Sequence, residues 1–123
     1  MKVPPRVVNG SSRRLLKALL EAKKEPLAGE VPHHVVSHSD WRAEEARKIL
    51  QKFGVGVDTA ENGVFLPQNT TVPNPKGKAV HSTVHTNAYY EAVYEAIKDS
   101  ASKQDLINRL QELAWRLEKK GGL

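Results

Sequence analysis

Four of the five histidines in this 123-residue chain fall into two groups, the adjacent pair His33-His34 and the i,i+4 pair His81 and His85. Between them stands Asn62-Gly63-Val64. On a helix, four-residue spacing puts His81 and His85 on one face, where two imidazoles can grip a single divalent cation. Adjacent histidines on an extended strand do the opposite. His33 and His34 then point to opposite faces, so one can turn to a metal while its neighbour turns elsewhere, for example to activate a water. Taken alone, HxxxH describes a solvent-facing helix as readily as a metal site. It is the combination with the histidine pair that gives the spacing its weight.

The order is an extended segment with paired histidines, a return strand starting at asparagine, and an HxxxH segment. It resembles the His-Me finger nucleases (HNH and endonuclease VII), whose strand-strand-helix unit folds around one metal. Pro32-His33-His34-Val35-Val36, Asn62-Gly63-Val64-Phe65-Leu66-Pro67, Asn74-Pro75-Lys76-Gly77, His81 to His85 and Tyr89-Tyr90 are similar to the AHH branch, over roughly residues 30–98. That family usually has Ala or Gly before the histidine pair. Pro32 lacks a backbone donor but favours an extended entry, so the site is expected to survive.

The resemblance implies that His33, His81 and His85 hold the metal and that His34 is the general base. It gives Asn62 the role of fixing the loop or orienting the base. The residues themselves leave open which histidine does which job. An Asn-Gly pair also suits a tight turn for backbone reasons alone. The resemblance further implies a metal-dependent endonuclease with DNA as the preferred substrate and RNA open. It implies a toxin module of bacteria, carried at the C-terminus of a larger secreted protein, restrained by a cognate immunity protein and acting in the cytoplasm of the target cell. Mg, Mn, Ni, Zn and Co are all compatible with imidazole to some degree.

The chain has no cysteine, which removes disulfides, thiolate zinc sites and cysteine nucleophiles together. No run approaches a membrane span, the start lacks the apolar stretch of a signal peptide, and no membrane partner is expected. Formal charge is +5, which suits a polyanionic partner. Residues 1–30 carry seven Lys or Arg against three acids, leaving +1 for the remainder. A nucleic acid would therefore meet local basic groups, with Lys76 and Lys78 in the loop before His81 the expected phosphate contacts.

The expected class is α+β, a helix-rich domain around a ββα-metal motif. Residues 1–10 read as a linker or arm and 11–123 as one nuclease domain. A helix over about 13–24 is expected after a Ser11 or Ser12 cap, ended by Pro26 and Gly29. A histidine strand over roughly 31–37 follows, then a helix over about 41–53 with an Asp40 cap and a Gly54 stop. A weak strand at 55–57 precedes a tight turn at Glu61-Asn62-Gly63 and a strand at 64–66. Residues 67–79 read as a loop, 80–98 as the HxxxH helix, with a separate restart at Thr86 or Asn87 as the alternative. Ser102 and Asp105 open a last helix over about 103–120. His38 is expected at the surface, and Tyr89 and Tyr90 in packing. The competing function is a non-catalytic zinc module closed by His33, His34 or His38, His81 and His85, for which the missing cysteines are a poor omen. A helical interaction module with incidental histidines is the third reading.

Overall fold

The computed structural model describes residues 7–123, with side chains from residue 11 onward. The fold is α+β, four helices around a two-stranded sheet. Helix α1 (Val7–Glu21) takes in the end of the stretch expected as an arm, whose residues 1–6 lie outside the described residues. Ser11 and Ser12 are thus inside the helix rather than capping it; the Ser11 hydroxyl accepts from Arg14 at 2.8 Å. The helix also stops before Pro26 and Gly29. Lys23 takes the left-handed conformation (φ 66°), and Lys23 and Lys24 return their N–H groups to Leu20 and Leu19, a closing turn normally built on glycine.

Strand β1 (Glu30–His34) pairs antiparallel with β2 (Gly63–Pro67), with His33 opposite Val64 and His34 opposite Gly63. Pro32 is accommodated inside β1, opposite Phe65. The tight turn expected at Glu61-Asn62-Gly63 forms, with Gly63 N–H returning to Ala60 O, but it does not use a left-handed glycine. Asn62 ends a 3-10 turn (Ala60–Asn62), and Gly63 is extended at φ −134°. Glycine is needed there for a different reason, since a Cβ would lie 2.6 Å from the Leu15 side chain of α1. No strand forms at 55–57.

Asp40 caps a short 3-10 turn (Trp41–Ala43) that leads into α2 (Glu44–Phe53), and Gly54 closes it at φ 73°. Thr86 caps α3 (Asn87–Ile97), accepting the Tyr89 N–H at 3.2 Å. Ser102 caps α4 (Lys103–Lys119) by accepting from Asp105 N–H, and the Asp105 carboxylate returns to Ala101 N–H. The strand alternation of β2 divides the interior. Val64 and Leu66 join the main core with Leu50 of α2, Val93 and Ile97 of α3, and Leu106, Leu110, Leu113 and Leu117 of α4, while Phe65 packs with Leu15 and Leu19 of α1. No described helix is long and apolar enough to cross a membrane.

Candidate metal centre and active-site cleft

One cleft of about 620 Å³ gathers all five histidines, together with Asp40, Tyr90 and Gln68. His33, His81 and His85 form its inner cluster, each offering a ring nitrogen within 4.8 Å of the other two. The expected HxxxH helix does not deliver this geometry. His81 opens a 3-10 turn (His81–Thr83), and His85 lies in the link before α3. Thr86 is extended (φ −108°, ψ 161°) because its hydroxyl caps α3, and that conformation breaks a continuous helix. The restart at Thr86 is therefore the correct alternative, and the two rings still meet at 4.9 Å between centroids.

The hydrogen bonds of His33 identify its tautomer. The Tyr89 hydroxyl has one proton and gives it to the Val35 carbonyl at 2.8 Å, an acceptor only. Its oxygen, 2.9 Å from His33 Nε2, must then accept the proton on that nitrogen. Nδ1 of His33 is left with a bare lone pair, 3.0 Å from Nδ1 of His81. Nitrogens about 2.1 Å from one ion lie roughly 3–4 Å apart, so this separation fits two ligands of a single cation. A histidine that donates its far N–H to a fixed acceptor is also the usual arrangement around a bound metal. Burial holds His33 well below the ordinary imidazole pKa, and burial lowers His81 and His85 as well, so all three are neutral donors near pH 7. Burial likewise raises the Tyr89 hydroxyl far above its ordinary value, keeping it a donor.

The outer edge of the cluster is braced by stacking. The Tyr90 ring lies against His85 (23° between planes), and the Arg42 guanidinium sits 4.3 Å over Tyr90. Asp40 grips that guanidinium through both carboxylate oxygens at 3.0 Å, and Asn87 accepts from it at 2.7 Å.

His34 faces the other way, as strand alternation requires. Its Nε2 is 2.8 Å from Asp58 Oδ1, and the His38 ring lies 4.5 Å away. His38 is half-buried at the cleft and outside the three-histidine group, in line with its not being a substitute ligand, and its Nε2 is buried without a hydrogen-bond partner among the described residues. Neither His34 nor His38 joins the three-histidine group, so a closed four-histidine zinc site is not formed. Asn62 is fully buried, and its side chain forms no hydrogen bond to a histidine among the described residues. Its side chain accepts from Val36 N–H and donates to Val36 O and Val57 O, pinning the chain just beyond His34 to the segment before β2.

Lys78 departs from expectation. Its side chain is 7% exposed, with the ammonium 2.8 Å from Glu30 and 3.8 Å from Glu118, so the loop's end is tied between β1 and α4 and this cation does not face the cleft. The reason is local: Asn74 folds back on the Lys78 backbone and turns the side chain inward. Lys76 is exposed and forms no ion pair among the described residues. Sequence reading missed Asp58, and it missed the hydrogen-bonding role of Tyr89. Neither carries a spacing signal, since both reach the histidines across the fold.

A two-stranded antiparallel unit followed by a helix, with histidines from strand and link converging in one cleft, is the ββα arrangement, and its three-histidine group could hold a divalent ion. Residues 19–118 match the AHH family, a nuclease family of the HNH/ENDO VII superfamily with conserved AHH, and the chain belongs to that family. No curated protein and no solved structure matches the chain. The alanine of the family's name is Pro32 here, and the two histidines are His33 and His34.

Proposed function

We propose that the chain is a divalent-metal-dependent endonuclease that hydrolyses phosphodiester bonds, with DNA as its preferred substrate. His33, His81 and His85 hold the ion and His34 accepts a proton from the attacking water. When bound, the ion supplies a Lewis acid toward the scissile phosphate and its leaving oxygen. The observation that carries this reading is the tautomer of His33, whose proton is committed to Tyr89 so that its lone pair faces His81 and His85. His34 stands in the same cleft but outside that cluster, where burial lowers its pKa against the opposing pull of Asp58. A neutral imidazole can take a proton from water near pH 7. Asn62 acts on this step only through the backbone that it fixes. Lys76 is the remaining loop cation for a backbone phosphate.

The wider setting rests on the family resemblance: a toxin module delivered as part of a larger secreted protein into a target cell, acting in its cytoplasm, and neutralised in the producer by an immunity protein. The test of the chemistry is nicking of supercoiled plasmid across a metal titration, with His34→Ala assayed beside the wild type. Cleavage that requires metal, and is lost in His34→Ala while calorimetry still detects metal binding, supports the assignment. Metal-independent cleavage, or a His34→Ala variant that no longer binds metal, refutes it.

A further inference from the structure

Asp58 stands in the connection between α2 and the turn at Ala60–Asn62, with its side chain 16% exposed. One carboxylate oxygen is 2.8 Å from His34 Nε2, and the other is 2.8 Å from Arg14 Nε of α1. Burial raises its pKa, but the hydrogen bonds from His34 and Arg14 outweigh burial and keep it below the ordinary carboxyl value. An ionised carboxylate only accepts, so the shared proton belongs to His34 Nε2. A neutral imidazole has one N–H, and Nδ1 of His34 is therefore unprotonated. Nδ1 has no hydrogen-bond partner among the described residues and is not among their fully buried unpaired atoms.

We propose that Asp58 is the positioning residue for His34, selecting Nδ1 as the nitrogen that takes the proton from water. This rests on the nuclease reading above. As the water oxygen forms its bond to phosphorus, the water proton passes to Nδ1. The resulting imidazolium keeps Nε2–H on the Asp58 carboxylate, whose charge stabilises it. The bond from phosphorus to the leaving oxygen breaks, that oxygen takes a proton from solvent, and His34 later releases its own to solvent. Arg14 is 62% exposed and serves to hold α1 against the Asp58 loop. The rival role for Asp58 is that tether alone, with His34 as a bystander.

The two roles separate in a readout that needs neither metal nor substrate. Long-range proton-nitrogen correlation spectra of metal-free protein with labelled histidine report which ring nitrogen carries the proton. Wild type and Arg14→Ala are expected to show His34 protonated at Nε2, and Asp58→Ala a mixture of both tautomers. Asp58→Asn, which can still accept through its carbonyl, retains the Nε2 proton without the charge. In plasmid cleavage, Asp58→Ala is expected to lose roughly 100-fold in kcat, the lower end for an acid-base group, with KM and metal-induced stabilisation little changed. Asp58→Asn falls between, and Arg14→Ala loses less than about threefold on the same scale. His34 still fully Nε2-protonated in Asp58→Ala overturns the proposal. So does a loss in Arg14→Ala equal to that in Asp58→Ala, which makes the contact a tether. If the Ala variant does not fold, Asp58→Asn decides, because an unchanged kcat there overturns the role of the charge. A wild type that cleaves nothing refutes the nuclease reading, while the spectra still decide whether Asp58 sets the tautomer.

Discussion

Tyr89→Phe removes one oxygen from the interior and leaves the ring, so its effects isolate the hydrogen bonds. Two buried groups lose their partner, the Val35 carbonyl and the His33 Nε2–H. An orphaned buried polar group costs about 1–3 kcal/mol. His33 can escape part of this by moving its proton to Nδ1, so the expected loss for the metal-free protein is about 2–3 kcal/mol. At ~4 °C per kcal/mol for a domain of this size, Tm should fall by roughly 8–12 °C. The same escape removes the lone pair that faces His81. Metal affinity should consequently drop by about 10- to 100-fold, typical for loss of a group that orients a ligand. At saturating metal the ion-induced stabilisation then shrinks by about 1.4–2.7 kcal/mol. Thermal melts with and without zinc, nickel or manganese, together with calorimetric titration, measure both effects. A destabilised variant with unchanged metal affinity would refute the reasoning, and His33→Ala would then show whether His33 is a ligand at all.

Asn62→Ala strands Val36 N–H, Val36 O and Val57 O and should cost about 3 kcal/mol in urea unfolding; a loss below about 1 kcal/mol would mean that water replaces the carboxamide. Lys78→Ala leaves the buried Glu30 carboxylate unpaired and should destabilise by about 3 kcal/mol, without altering the salt dependence of nucleic-acid binding. Lys76→Ala should do the reverse, lowering the salt slope by about one unit on a duplex while Tm stays within a degree or two; an unchanged slope removes Lys76 from the phosphate path. The metal-free protein should lose stability as pH falls below about 6.5. There the unfolded chain gains protons that buried His33 refuses, so the unfolded state binds more protons and stability rises with pH. For His33 alone the slope is about 1.4 kcal/mol per pH unit, and a flat urea midpoint between pH 7 and 5 would contradict its burial as a neutral group.

Much of this was readable from local signals, and the gaps share one cause. Ser102, Gly54 and the leucine spacing of α4 act within a turn or two of chain, and their signals led to the correct elements. The histidine pair was informative because strand alternation is a local rule too. The helical reading of HxxxH failed because Thr86 can either continue a helix or cap one, and the Tyr89 N–H above it decides for the cap. Lys78 was misplaced because a loop lysine looks the same in sequence whether it meets water or Glu30. Gly63 closes the expected turn, but it also makes room for Leu15, a contact 48 positions away that no local pattern carries.

The two adjacent histidines differ in chemistry because their partners come from opposite sides of the sheet. His33 shares the Val64 face and meets Tyr89 of α3, whose own proton is spent on Val35. His34 shares the Gly63 face and meets Asp58, which α1 holds through Arg14. Each partner accepts from Nε2, so each ring is left with an unprotonated Nδ1, one toward two further imidazoles and one without a hydrogen-bond donor among the described residues. A neutral phenol beside His33 adds no charge to a group that must remain a neutral donor. An anion beside His34 stabilises the cation that a base becomes after it takes a proton. Exchanging the partners would reverse this match. That asymmetry in the second partners, more than the identity of the two histidines, is what supports assigning metal binding to one and proton transfer to the other.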